Sequence, residues 1–331
     1  LKVMKKLFYS LMLCSFFVAC SNEDDIVMQD DQSFSNEEVL TRSASMRRSL
    51  TPQEADMLKK AFPNLKTDNV TVTGEATYTY NCIAYSMGIT SKWINPEELY
   101  NDFINQYKNA KSLYGASSNY EQTSTQGSGA DVDGWGLNTY KMTHGSVIYS
   151  GNTWESKLGP NIRITHGRTE LNGSEYGSIL VSFVKQNSKI SDLKEVAEEV
   201  SKEDIVLSDL EKNKVLERSK KVDSEIVSKF ESLIAAWKNE INTNPKTMFS
   251  SSTLDYKQLP QFKSLQEMGS VIIPLIMEKL LDEENFFMLP LYDTLQLDSN
   301  LKIVYNKNDR KCLEGEQNRA RRTVRMWVNS L

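Results

Sequence analysis

The sequence predicts an α+β protein, in which a half built around an antiparallel β-meander precedes a half made only of helices. Between residues 69 and 185, short runs of strand-forming residues alternate with Gly, Asn and Ser. Beyond residue 222, apolar residues recur at helical spacing instead. The 331 residues are enough for two such units, each with a core.

The first nineteen residues have the layout of a secretion signal. Three lysines within the first six residues precede an apolar run over residues 7–18, which is shorter than the roughly 20 apolar residues that span a bilayer. The following Phe17-Val18-Ala19-Cys20 resembles the lipobox of bacterial lipoproteins. We therefore expect cleavage of residues 1–19 and lipid attachment to Cys20; an ordinary secretory signal is the alternative.

Residues 20–50 are predicted to form a flexible tether, because their polar composition cannot bury enough apolar surface to offset the entropy of ordering. Ser21-Asn22-Glu23-Asp24-Asp25 resembles the surface-export signal of Bacteroidota lipoproteins, and a solvated acidic linker is the alternative reading. These features predict an exported outer-membrane lipoprotein, held by its lipid at the surface or the periplasmic face.

The net charge argues against one class of partner. Loss of residues 1–19 removes three lysines and no acidic residue, so the formal charge falls from −5 to −8. Phosphate backbones repel such a body, and nucleic acid is not an expected partner.

The β-rich domain is predicted to occupy residues 51–187. Thr51-Pro52-Gln53-Glu54 combines an N-cap, a proline in the first turn and a capping box, and predicts a helix up to Phe62. Further helices are expected to begin at Cys82 and at Asn95. Strands are predicted at 70–73, 144–150, 153–158, 162–166 and 178–184, the last four as one meander, and residues 117–136 as a long loop.

The rest of the chain is predicted to be helical. Leu193, Val196, Ala197 and Val200 indicate a charged helical connector over residues 188–222. An all-helical domain follows over residues 223–331. Its predicted core stripes are Ile226, Phe230, Leu233, Ile234, Trp237 and Ile241 on one helix, and Val324, Trp327, Val328 and Leu331 on another.

Cys82 and the two histidines, His144 and His166, all lie in the β-rich region. A thiol at the start of a helix is expected to be activated by the helix dipole. An imidazole can exchange a proton with that thiol if a further polar group holds its tautomer. We therefore predict that Cys82 is a nucleophile, His144 its base and His166 the orienting group, with the backbone N–H of Cys82 as oxyanion donor.

Other readings of these residues remain open. Cys82 could be a buried structural thiol, or could form a disulfide with Cys312. His166 could be a hydrogen-bonded strand residue with no part in chemistry. Tyr80, Asn81, Trp154 and Lys157 are candidates for lining a substrate cleft, although packing explains Trp154 better.

The same residues resemble the papain-like NlpC-type cysteine hydrolases, in which a Cys opens a helix, a His begins a strand and a polar residue on the next strand orients it. The chain resembles more closely an uncharacterised bacterial family with a Tyr-Asn-Cys-Ile-Ala motif, found here at residues 80–84. The other shared motifs are Trp93 with Pro96, Thr143-His144, Trp154-x-Ser-Lys-Leu-Gly159 and His166. The resemblance covers residues 78–184 and departs from the family pattern at Tyr85-Ser86 and Gly145-Ser146. It implies a papain-like domain and amide-bond hydrolysis.

Two functions are therefore expected. The favoured one is an envelope-anchored cysteine peptidase or amidase acting on peptides or on cell-wall stem peptides. The alternative is a non-catalytic lipoprotein of the same fold, whose helical domain docks onto a protein partner or binds glycan. The sequence has no zinc-type Cys and His spacing, no Gly-rich phosphate loop and no calcium loop, so neither metal nor cofactor is expected.

Overall fold

The computed structural model describes residues 47–124, 129–186, 205–303 and 315–331. Its first half is built on one antiparallel sheet of eight strands, in the order β1-β2-β7-β6-β5-β4-β8-β3. The strands are β1 (Arg48–Ser49), β2 (Thr71–Gly74), β3 (Tyr120–Thr123), β4 (Val132–Asn138), β5 (Lys141–Ser150), β6 (Thr153–Lys157), β7 (Arg163–Gly167) and β8 (Ser178–Lys185).

Helices flank the sheet and make up the second half of the molecule. They are α1 (Pro52–Ala61), α2 (Cys82–Ser86), α3 (Tyr100–Lys108), α4 (Ala110–Tyr114), α5 (Asp209–Ser219), α6 (Ser224–Thr243), α7 (Pro260–Gln266), α8 (Ile273–Lys279), α9 (Leu289–Leu295) and α10 (Glu316–Asn329). The expected α+β class, with an antiparallel sheet and a C-terminal helical region, is thus confirmed. No described helix is both long and apolar enough to cross a membrane.

The capping box and most strands were predicted correctly. Thr51 accepts a hydrogen bond from the backbone of Glu54, and the Glu54 carboxylate accepts one from the backbone of Thr51, so α1 begins where the sequence indicates. Strands β5, β6 and β7 pair in succession as expected. The fourth member of the predicted meander was wrong, because β8 pairs with β4 and β3 on the opposite side of β5.

Strand β4 was missed, because its two glycines make it look like a loop. The close packing of the sheet explains Gly134: a Cβ there would lie 2.6 Å from the Phe103 ring and 2.7 Å from Val181. The glycine lets α3 and β8 approach the strand. Residues 117–136 are therefore not a single long loop, since they contain β3 and most of β4.

The end of the predicted tether is ordered. Arg48 and Ser49 pair with β2, and the Arg48 guanidinium donates to the carboxylates of Glu54 and Glu75. These charge-assisted bonds lower the pKa of Glu54 to about 2. The boundary at residue 50 was thus placed too late. Cys20 and the signal lie outside the described residues.

Helix α3 begins at Tyr100, five residues after the predicted start. The amide of Asn95, expected to cap it, is used elsewhere. Its Oδ1 accepts from the Thr253 backbone N–H at 3.1 Å, and its Nδ2 donates to the Thr253 hydroxyl. A tertiary contact to the helical half therefore outcompetes the local cap.

The two halves exchange side chains across their boundary. Tyr78 and Trp93 of the sheet half belong to the helical core, whereas Met248 and Phe249 of the helical half pack into the cluster beneath α1. The predicted stripe on α6 is confirmed, with Phe230, Ile234, Trp237 and Ile241 buried and Ile226 and Leu233 partly buried against the same core. In the second stripe, Val324, Trp327 and Val328 are buried, and Leu331 is half exposed.

The described part of the predicted connector also belongs to the helical core. Leu207 and Val215 are buried in it. Residues 188–204, including the predicted apolar positions of the connector, lie outside the described residues.

Candidate active site

Helix α2 presents Cys82 as its first residue. The Asn81 side chain caps this helix, because its Oδ1 accepts from the Ala84 backbone N–H at 3.1 Å. The Asn81 Nδ2 donates to the carbonyls of Ile94 and Ser251. The cap is thus tied both to the following loop and to the helical half, and the position of the thiol is fixed from three sides.

The thiol lies where the ladder between β5 and β6 opens. The pairing of these strands begins at Val147 with Glu155, so it stops short of Gly145. The backbone N–H groups of Gly145 and Ile83 donate towards the Cys82 sulfur, and the Ser251 hydroxyl lies 2.8 Å from it. The sulfur therefore sits beside the peptide bond that follows His144.

A glycine at position 145 is required for this approach. A Cβ there would lie 2.4 Å from the Tyr107 hydroxyl and 2.7 Å from the Ser86 hydroxyl. Ser86 is the last residue of α2, so any larger residue would push this helix off the strand. Packing thus explains the glycine at position 145.

The thiol is fully buried, and burial raises the pKa of Cys82 to about 11. Hydrogen bonding from Ser251 and Gly145 and the positive charge of Lys157 act in the opposite direction and are outweighed. The expected lowering by the helix dipole is wrong for this conformation, because α2 has only five residues and desolvation dominates. Cys82 is a free thiol, and Cys312 lies outside the described residues.

His144 and His166 are joined through one hydroxyl group. The Ser156 Oγ lies 2.9 Å from the His144 Nε2 and 2.8 Å from the His166 Nε2. The His166 Nδ1 lies 2.8 Å from the Gly167 carbonyl oxygen. The three side chains come from neighbouring strands β5, β6 and β7, so the meander itself builds the chain.

The donor of each hydrogen bond in this series can be assigned by starting from the bond to the Gly167 carbonyl. A carbonyl only accepts, so His166 carries its proton on Nδ1 and accepts the Ser156 O–H at Nε2. The Ser156 oxygen then accepts from His144, which must carry its proton on Nε2. The His144 Nδ1 is therefore an unprotonated lone pair, and it is buried without a hydrogen-bond partner among the described residues.

Both imidazoles are neutral in this environment. Burial lowers the pKa of His166 to about 4, although the Gly167 carbonyl and the charges of Glu170 and Asp133 oppose this shift. Burial, and then the neighbouring His166, also hold the pKa of His144 well below its usual value. The neutral forms are those that the hydrogen-bond chain requires.

A tyrosine from the loop before β8 holds the His144 ring. Tyr176 is stacked on His144, with ring centroids 3.8 Å apart and planes 9° apart. The Tyr176 hydroxyl donates to the Phe249 carbonyl, and the Thr143 hydroxyl donates to the Tyr176 carbonyl. The plane of the imidazole is thereby set by stacking, and its rotation by Ser156.

Cys82 and His144 both belong to the described part of the chain, and no hydrogen bond joins their side chains. Cys82 packs in the apolar cluster formed with α2 and α3, whereas Tyr176, the stacking partner of His144, packs in the cluster beneath α1. The predicted site is thus brought together in two parts: a histidine pair linked by Ser156, and a neighbouring thiol bonded to Ser251.

The four candidates for a substrate cleft are engaged within the protein. Asn81 is the helix cap, and Trp154 is buried beneath the Arg168 guanidinium, which lies 5.0 Å from its ring. Tyr80 is half buried, and its hydroxyl accepts from Arg163. The Lys157 ammonium is fully buried and donates to the carbonyls of Thr77, Gly159 and Asn161.

Three residues that contact the thiol or the histidines were not predicted. Ser156 had a usable signal, because it is a small polar residue facing the same side as Trp154 on the strand between the two histidines. Tyr176 lies within residues 78–184, which the resemblance covers, but it was given no role. Ser251 had no signal, since it reaches the thiol from the helical half, 169 residues further along the chain. Among the described residues, no cluster of His, Cys, Asp and Glu suits a metal ion.

Comparison with known family models gives a match over part of the chain. Residues 71–184 match the model of a domain of unknown function (DUF7689). The matched range runs from β2 into β8 and contains Cys82, His144, Ser156, His166 and Tyr176. No curated protein and no solved structure matches the chain.

Proposed function

We propose that the chain is an envelope-anchored cysteine peptidase or amidase, in which the sheet half has a papain-like arrangement and cuts amide bonds of peptides or cell-wall stem peptides. Cys82 is the nucleophile and His144 the base. His166 positions His144 through Ser156. Ser156 thus joins the two histidines that the sequence suggested.

One observation carries this proposal. The bonds from the Gly167 carbonyl through His166 and Ser156 leave the His144 Nδ1 as an unprotonated, unpartnered atom inside the protein. A buried polar atom without a partner lowers the free energy of unfolding by about 1–3 kcal/mol. A functional reason for such an atom is therefore expected. A base awaiting the proton of a nearby thiol supplies one.

The chemistry follows from these positions. The His144 Nδ1 takes the thiol proton of Cys82, and the thiolate attacks the carbonyl carbon of the scissile amide. The Cys82 backbone N–H, at the first position of α2 and therefore without a helical acceptor, is placed for the oxyanion. The leaving amine takes the proton from His144, and water then hydrolyses the thioester with His144 again as base.

Lys157 supports the thiolate in this scheme when its amine is protonated, a form that burial opposes by holding the pKa of Lys157 well below its usual value. It lies close enough to lower the pKa of Cys82, and its three carbonyl partners keep it in place. Lys157 therefore acts as a positioning residue and does not contact the substrate. Neither metal nor cofactor enters the reaction.

A binding role is the alternative, and the burial of the thiol favours it. Cys82 has no exposed surface and bonds Ser251 in place of His144. In this reading the sheet is a scaffold, and the helical half docks a protein or binds glycan at the envelope.

Hydrolysis of defined peptides and of isolated cell-wall fragments, followed by mass spectrometry, decides between the two. We expect new termini with the mature protein, or with a form of it whose thiol has been made accessible, and a loss of about 10³-fold or more when Cys82→Ala or His144→Ala is introduced into the active form. Cys312→Ala is the matched control and is expected to retain activity. Equal product from the Cys82→Ala protein would remove the nucleophile, and no product from any protein tested, including one whose thiol has been made accessible, would favour the binding role.

The place at the envelope is a separate proposal. Lipid on Cys20 would leave a soluble body tethered to the outer membrane, since two or more acyl chains anchor a protein stably. Metabolic labelling with a fatty acid tests it: Cys20→Ala is expected to abolish the label and membrane partitioning. Cys14→Ala, in the same signal, is expected to retain both. Labelling of the Cys20→Ala protein would contradict the assignment.

A further inference from the structure

The residues that cover the thiol come from the helical half and form one short segment, Phe249–Ser252, which we call the cover segment. It links the turn after α6 to the helical turn Thr253–Gln258 and has neither helical nor strand structure at Ser250–Ser252. Its side chains are buried or half buried. A segment without regular structure in such a position must bond its backbone to its surroundings.

The sheet half supplies those bonds. The Ser251 carbonyl accepts from the Asn81 Nδ2 at 3.1 Å and from the Trp93 Nε1 at 3.0 Å. Two residues earlier, the Phe249 carbonyl accepts from the Tyr176 hydroxyl at 3.0 Å. Alternate carbonyls of the cover segment thus point to donors of the candidate site.

The fit between the two surfaces is close. Gly159 has φ +53°, and a Cβ on it would lie 2.6 Å from the Ser250 carbonyl oxygen and 2.7 Å from the Phe249 carbonyl carbon. The Ser251 hydroxyl contacts the Cys82 sulfur itself. A small side chain is therefore placed at the thiol while the backbone on either side is held by hydrogen bonds, which is the way a peptide substrate would be bound.

We propose that the cover segment is an internal occupant of the substrate cleft and holds the site latent until it is displaced. This proposal rests on the hydrolase function proposed above and adds the substrate class: a peptide with a small residue facing the thiol. Asn81, Trp93 and Tyr176 then bind two alternate carbonyls of the substrate once the cover segment leaves. The Asn81 Nδ2 also donates to the Ile94 carbonyl and the Trp93 Nε1 to the Asn95 Oδ1, so a bound peptide has to replace only the bonds to the cover segment.

The cover segment also contacts both parts of the candidate site. Tyr176 bonds the cover segment through its hydroxyl and stacks on His144 through its ring. The Ser251 hydroxyl occupies the hydrogen-bonding capacity of the thiol. Removal of the segment frees the thiol and the Tyr176 hydroxyl at once, and loss of the Tyr176 bond releases the constraint on the His144 ring.

The rate at which iodoacetamide alkylates Cys82 tests the proposal, read separately for each cysteine by mass spectrometry of the mature protein. Ser251→Arg places a long charged side chain against the thiol and should displace the segment. We expect Cys82 to react at least about tenfold faster in this variant, equivalent to about 1.4 kcal/mol in the opening equilibrium. Ser228→Arg, on the exposed face of α6, adds the same side chain and is expected to leave the rate unchanged.

A measurement on the unaltered protein tests the proposal even if that variant misfolds. The urea dependence of Cys82 alkylation reports whether the thiol is exposed by local opening or by global unfolding. We expect an opening free energy below that of global unfolding, with little dependence on urea. Alkylation only through global unfolding, or an unchanged rate in a folded Ser251→Arg protein, would overturn the proposal.

The two proposals fail in different ways. If Ser251→Arg exposes the thiol and no amide bond is cut, the segment is a cover but the hydrolase function is wrong. If unaltered protein and Ser251→Arg protein cut peptides equally fast, the hydrolase function stands and latency is wrong.

Discussion

The imidazole of His144 lies flat on the phenol ring of Tyr176, 3.8 Å away between centroids. This contact links the histidine to the helical half, because the Tyr176 hydroxyl bonds the carbonyl of Phe249. One face of the imidazole is thus packed, and its Nε2 is held by Ser156. Only the unpartnered Nδ1 is left to interact with anything that enters the site.

The hydrogen-bond chain predicts opposite tautomers for the two histidines. We expect His144 to carry its proton on Nε2 and His166 on Nδ1, because the Gly167 carbonyl can only accept. Nitrogen-15 spectra of the labelled protein at pH 7 distinguish the two ring nitrogens of each histidine. Finding the same tautomer for both would contradict the chain.

Removing the central hydroxyl should disturb both rings. Ser156→Ala leaves the nitrogens of His144 and His166 without a shared partner, at an expected cost of about 1–3 kcal/mol in the free energy of unfolding. The His144 tautomer should then be mixed. Ser86→Ala removes another buried serine hydroxyl, at the end of α2, and is the control: its spectra should keep the two tautomers distinct.

The buried histidines also predict how stability depends on pH. Burial lowers the pKa of His166 from 6.5 to about 4, so between these values the unfolded chain binds a proton that the folded chain excludes. The free energy of unfolding should therefore be fully retained above pH 6.5 and fall as the pH decreases towards 4, by about 3 kcal/mol for His166. The lowered pKa of His144 acts in the same direction.

Urea unfolding between pH 5 and 7.5 measures this slope. Carboxylates such as Glu54 and Glu211, whose pKa values are lowered to about 2, stay ionised in the folded protein over this range. His166→Gln should flatten the dependence, because its side chain does not titrate. A slope unaffected by this substitution would mean that His166 is already charged in the folded protein.

The sequence was most informative where local chemistry decides structure. The capping box of Thr51 and Glu54, the strands around the two histidines and the start of α2 all depend on neighbours in the chain. The positions of β4, the start of α3 and the cover over Cys82 do not. Gly134 looks like a turn residue until Phe103 and Val181 are packed against it, and Asn95 looks like a cap until Thr253 takes its amide.

The histidine pair was predictable, whereas the state of the thiol was not. Strand alternation places His144 and His166 near each other, and the residue between them is read from the same pattern. The pKa of Cys82 depends on burial and on a contact with Ser251 of the helical half, and a pattern confined to the sheet half predicts neither. The sequence patterns therefore did not predict the long-range contacts between the two halves.

The turn that presents Tyr176 should depend on the glycine after it. Gly177 has φ +76°, and a Cβ there would lie 2.0 Å from the Gly136 carbonyl oxygen. Gly177→Ala should cost several kcal/mol and weaken the stack on His144, because both the conformation and the space are unsuitable. Gly151→Ala, at φ +56° with open space, should cost only about 1–2 kcal/mol. Equal midpoints of urea unfolding for the two variants would show that the close approach at Gly177 does not matter.

The amine of Lys157 is fully buried and has no carboxylate partner among the described residues. It donates to the carbonyls of Thr77, Gly159 and Asn161, and burial holds its pKa well below its usual value. Lys157→Met keeps a chain of similar length but leaves three carbonyls without this donor. The loss of those hydrogen bonds is expected to outweigh the free energy gained because an amine is no longer buried. We therefore expect the free energy of unfolding to fall by about 3 kcal/mol.

The matched substitution Lys141→Met removes a lysine that is only partly buried, paired with Glu98 and Asp255. Ion pairs that solvent still reaches contribute about 0–1 kcal/mol, so the free energy of unfolding of this variant should be close to that of the unaltered protein. Urea unfolding at pH 7.5 compares the two, because the histidines are neutral there in both folded and unfolded chains. If Lys157→Met were as stable as Lys141→Met, the three carbonyls would be satisfied without the ammonium. Lys157 would then be free to act on the substrate, as the sequence first suggested.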